Sequence, residues 1–177
     1  MAQSFNVSSS MLGVDLNNWT TTALFTPGMH VLGTNGSEWV YVHSATTITA
    51  YSLVAISTAS YTCGSASGGD LTNGSQLAFA QTSASTQWFG WLALRGIGLT
   101  VNCDTSVTAP TGSQILAQGT SIATGLIGIC VTVSGDATQV TKALAGISIT
   151  DATLSSSGTG LITVNVTWPR PASNIQG

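Results

Sequence analysis

Charge is the property that this sequence has least of. Only 5% of its 177 residues are charged, whereas an ordinary soluble domain has about 25%. Its three basic residues, Arg95, Lys142 and Arg170, are far apart and leave a formal net charge of −3. Because no basic stripe is present to neutralise phosphates, we expect neither nucleic acid nor a membrane surface as a partner.

Long apolar segments are lacking as well. Residues 1–10 have neither the basic start nor the continuous apolar core of a secretory signal peptide. The longest apolar run, near Leu126 to Val133, is too short to span a bilayer. We therefore expect a protein that is made in a cytoplasm and stays soluble or joins an assembly.

Cysteine is scarce and unpaired in the sequence. Cys63, Cys103 and Cys130 are odd in number, widely spaced and without a Cys-x-x-Cys pair. This pattern argues against a zinc site and against a disulfide framework. We interpret the three residues as small buried thiols and expect no metal or cofactor.

Motifs for catalysis are also missing. The sequence has no Gly-x-Ser-x-Gly elbow, P-loop or dinucleotide-binding glycine pattern. Its two histidines, His30 and His43, lie at opposite ends of one predicted hairpin, where they could face each other as a metal or acid–base pair; we favour a structural role. The six acidic residues fall mostly in predicted turns, where Asp side chains bond their own backbone. We expect a protein that is not an enzyme.

What the sequence does contain is a strong β pattern, clearest from His30 to His43. An apolar run is followed by Asn35-Gly36, which tolerates the positive φ angles of a tight hairpin turn. In the strand after it, Trp39 and Tyr41 alternate with two valines, so both faces of that strand are apolar. We predict a β-hairpin whose second strand is covered on both sides.

The same kind of pattern continues along the chain. Further strand candidates are 45–57, 76–81, 88–95 with a continuation over 97–101, 114–117, 122–124, 126–133, 146–150 and 160–168. The Gly- and Ser-rich segment 63–70 indicates a loop, and residues 136–144 are compatible with a helix or a strand. Gly90, between aromatic residues, is typical of a point where a neighbouring group comes close. About ten short strands with Gly, Asn and Ser turns predict an all-β fold, namely a single β-sandwich or a partly open β-barrel over residues 29–177.

Residues 1–28 lack a helical or strand period and indicate an extended N-terminal arm. The arm carries spaced apolar residues that would dock either on its own domain or on a neighbour. These candidate contact residues are Phe5, Val7, Met11, Leu12, Leu16 and Trp19. We expect a chain without residues 2–26 to keep a folded domain.

Four aromatic residues on predicted strands form a second candidate set: Trp39, Tyr41, Trp88 and Trp91. Such residues on adjacent strands favour a core or subunit-interface role. The alternative is a sugar-stacking platform, as in a carbohydrate-binding module, which would expose its rings. Interface cores are typically poor in charged residues, and this protein has few charged residues to place on its surface. We therefore expect partners to cover much of that surface.

With these strands in place, the chain resembles the capsid decoration (cement) proteins of tailed bacteriophages. The resemblance is carried by Leu32-Gly-Thr-Asn-Gly-Ser-Glu-Trp-Val-Tyr-Val42, Trp88-Phe-Gly-Trp91 and Val164-Asn-Val-Thr-Trp-Pro-Arg170. It implies a β-domain on the outside of an icosahedral head, often a homotrimer, that reinforces contacts between major capsid protein subunits. Two other classes fit the composition: a phage tail, fibre or head-fibre component, and a carbohydrate-binding β-module.

Overall fold

The structure is a computed structural model that describes residues 15–33, 35–66, 75–104, 115–117, 127–129, 142–151 and 159–171. These residues form β-strands and connecting turns without a helix, which confirms the all-β fold class. The strands, in chain order, are β1 (His30–Leu32), β2 (Glu38–Ser44), β3 (Leu53–Ile56), β4 (Thr62–Ser65), β5 (Gln76–Phe79), β6 (Phe89–Asp104), β7 (Ile115–Ala117), β8 (Ile127–Ile129), β9 (Lys142–Asp151) and β10 (Thr159–Pro171).

Five of these strands close into a barrel. Strand β2 pairs with β4, β4 with β3, β3 with β5, β5 with β6, and β6 returns to β2. All these pairings are antiparallel except that of β2 with β4. Closure leaves no free strand edge in the barrel itself, which removes a common cause of aggregation.

The long strand β6 extends beyond the barrel and organises the rest of the molecule. Its outer half pairs with β10, from Thr159 opposite Asp104 to Val164 opposite Leu99. Strand β10 pairs with β9, β9 with β7, β7 with β8, and β8 returns to β6 at Cys103. The strands therefore pair around two circuits that share β6.

Side chains on the two faces of the barrel strands belong to two different buried clusters. Along each strand the period of two sends alternate residues to opposite faces. One cluster receives side chains from all five barrel strands and so fills the barrel interior; its strand members are Val40, Val42, Val54, Ile56, Cys63, Ala78, Leu92 and Leu94. The other cluster covers the outer face and continues onto β10; it includes Trp39, Tyr41, Leu53, Leu77, Phe79, Trp91, Leu99, Ile162, Val164 and Val166. The barrel wall is thus apolar on both sides.

The predicted hairpin is present, as β1 and β2. Val31 lies opposite Trp39, and Leu32 opposite Glu38. In the connecting loop the amide of Gly33 donates to the carbonyl of Ser37 at 2.7 Å, and Gly36 has a φ of 75°. Trp39 to Val42 are at most 2% exposed, which confirms that the second strand is covered on both faces.

Two local predictions differ from the structure. The sequence predicts a loop at Cys63 to Ser65, but these residues form most of β4. The reason is that Cys63 lies between two neighbouring strands and pairs with Ser44 of β2 on one side and with Ile56 of β3 on the other. The sequence of residues 136–144 was compatible with a helix or a strand. In the structure, Lys142 to Leu144 form the beginning of strand β9. The candidate strand at 122–124 and residues 67–70 of the predicted loop lie outside the described residues.

Candidate functional site

The aromatic side chains of the hairpin and of β6 meet on the outer face of the barrel. Tyr41 lies opposite Trp91 in the β2–β6 pairing, and their ring centroids are 4.9 Å apart. Phe25, from the segment before β1, packs against both, at 5.3 Å from Tyr41 and 5.4 Å from Trp91. The Tyr41 hydroxyl accepts a hydrogen bond from the amide of Leu24 at 3.0 Å. The three rings therefore fix the N-terminal segment onto the barrel wall.

The other two candidate aromatic residues have different surroundings. Trp39 is fully buried in the outer-face cluster, and its indole Nε1 donates to the Ser37 hydroxyl at 2.7 Å. Trp88 is half-buried against the interior cluster. With Tyr41 and Trp91 each only 2% exposed, these four residues do not form the exposed ring strip that a sugar-stacking platform requires.

The described part of the predicted arm, residues 15–28, packs on its own domain. Leu16 joins the outer-face cluster, and Trp19 joins the interior cluster. Backbone hydrogen bonds of 2.8 Å in both directions join Thr20 to Phe89 at the start of β6. The other four candidate contact residues, Phe5, Val7, Met11 and Leu12, lie outside the described residues.

Trp19 also explains the glycine in β6. A Cβ atom added at Gly90 would lie 2.3 Å from Cδ2 of the Trp19 indole. The prediction that Gly90 permits a close approach is confirmed, and the group that approaches it is the Trp19 ring.

A cleft of about 220 Å³ opens between the N-terminal segment and the barrel wall. Its lining combines the three packed rings with polar residues and one aliphatic residue of the segment: Asp15, Asn18, Thr20, Leu24, Phe25, Tyr41 and Trp91. The sequence did not reveal this site, because its lining comes from separate stretches of the chain that only the docked segment brings together. Asp15 Oδ1 accepts the Asn17 amide at 2.9 Å, which is the local backbone bonding expected of acidic residues in turns.

The two histidines are not paired with each other. Val40 lies opposite His30 in β2, whereas His43 lies opposite Phe89 of β6. His43 stacks on the Phe89 ring at 4.5 Å between centroids. His30 Nδ1 lies 3.2 Å from Glu38 Oε1, a contact across the β1–β2 hairpin. Within the described ranges no group of three or more His, Cys, Asp or Glu side chains could hold a metal ion.

Several large apolar side chains are exposed, from Trp168 at 41% to Ile97 at 70%. Two of them are neighbours of His30 in β1. Leu32 points to the same side of β1 as His30, and the His30 ring stacks with that of Trp168 on β10, with centroids 6.1 Å apart. We call the surface formed by His30, Leu32 and Trp168 the β1–β10 patch.

Comparison with known proteins gives no family assignment. No protein-family model matches the sequence, and no curated protein is significantly similar to it. In the described part of the chain, no helix has the length and apolarity needed to cross a membrane.

Proposed function

We propose that this protein is a capsid decoration (cement) protein that binds the outside of a tailed-phage head and reinforces contacts between major capsid protein subunits. In this proposal the protein is a homotrimer on the capsid surface, and the barrel-based domain of residues 29–177 carries the docked residues 15–28 as part of its packing. The observation that carries the proposal is that only 5% of the residues are charged. These few charges belong to a protein whose barrel strands are packed with apolar side chains on both faces.

The described surface supports this role in two ways. The exposed apolar side chains Leu24, Leu32, Ile97, Leu161 and Trp168 give a partner apolar area to bury, with few charges to desolvate. The buried strands make a rigid body, so binding of the domain orders few side chains and loses little conformational entropy. Many such copies on one head would act together through multivalency.

The test is co-sedimentation of the purified protein with heads of the phage whose genome carries this sequence. We expect saturable binding to mature heads and a rise in the temperature at which decorated heads release DNA. A protein that stays in the supernatant while it binds purified glycans would be a carbohydrate-binding module. Binding to isolated tails but not to heads would instead identify a tail or fibre component.

A further inference from the structure

No further inference is drawn: the strongest candidate, the β1–β10 patch of His30, Leu32 and Trp168 beside the edge of β1 that faces away from β2, is an exposed and largely apolar surface, and nothing in the described part of the chain shows what covers it.

Discussion

At the scale of single residues, the barrel depends on small side chains at positions of close contact. Gly90 leaves room for the indole of Trp19, which is buried with the interior cluster. Cys63 fills a place in the same interior, and burial raises the pKa of its thiol from 9.0 to about 12. Both residues are thus constrained by packing inside the barrel.

Replacing Gly90 by alanine should destabilise the protein. The new methyl group would overlap the Trp19 ring, and overpacking of this kind costs about 1–3 kcal/mol. Urea denaturation followed by tryptophan fluorescence measures the loss. Gly64→Ala is the matched control, because the nearest atom to its added Cβ is the Thr46 hydroxyl at 3.2 Å. Equal losses in the two variants would contradict the proposed contact.

The thiol of Cys63 should make stability depend on pH in the alkaline range. The unfolded thiol ionises near 9.0, while the folded thiol stays protonated until about 12. The unfolded state therefore releases its proton first, so this contribution is complete below pH 9 and is lost as the pH rises towards 12. The loss is about 1.4 kcal/mol per pH unit in that window.

The measurement is the free energy of unfolding at pH 8, 9 and 10 for the wild type and for Cys63→Ala. The variant has lower stability from its smaller side chain, but its pH slope should be shallower than that of the wild type. Parallel slopes would mean that the thiol is not shielded from water.

At the scale of elements, the sequence allowed local features such as hairpins to be predicted, but not the pairings between distant segments. Asn35-Gly36 and the alternation after it predicted β1 and β2, because turn chemistry and side-chain period are local. The position of Cys63 in a strand was not predictable, since β4 is short, rich in small residues and defined by its neighbours in space. The docking of residues 15–28, and with it the cleft, depends on contacts between distant segments that periodicity does not encode.

The docked segment also changes what truncation should do. Deletion of residues 2–26 removes Leu16 and Trp19 from the two clusters, and comparable core truncations each cost several kcal/mol. The free energy of unfolding of a domain of this kind is only about 5–15 kcal/mol. We therefore expect this deletion to unfold the protein, which is the reverse of the expectation from sequence alone. Deletion of residues 2–14 is the matched comparison, because it leaves Leu16 and Trp19 in place, so the stability difference between the two chains reports on residues 15–26. Thermal unfolding of the two truncated chains is followed by circular dichroism. A cooperative transition in the chain that lacks residues 2–26 would contradict the conclusion that the docked segment is part of the core.

At the scale of the whole molecule, the described surface combines little charge with exposed apolar side chains. The β1–β10 patch places Leu32 and Trp168 beside the ring of His30. Exposed apolar groups of this kind, with few charges to keep copies apart, favour self-association.

The proposed homotrimer should therefore be visible without any capsid. Three copies of the 17.9 kDa chain have a mass of about 54 kDa. Sedimentation equilibrium over a range of protein concentrations measures this mass, and Leu32→Ser tests whether the β1–β10 patch contributes. A single species of 17.9 kDa at every concentration would contradict the trimer.

The sharing of β6 between two strand circuits permits an order of assembly during synthesis. All the strand pairs that close the barrel lie between residues 38 and 95, so the barrel can close while later residues are still on the ribosome. The outer half of β6 can pair with β8 at Cys103 earlier, but its other edge has no partner until β10, whose first paired residue is Thr159, has been made. Until then it would be an unpaired edge on a nascent chain, a species prone to misassociation. We therefore expect slower translation between residues 104 and 159 to lower the yield of folded protein, which expression of a gene with rare codons in that stretch would measure.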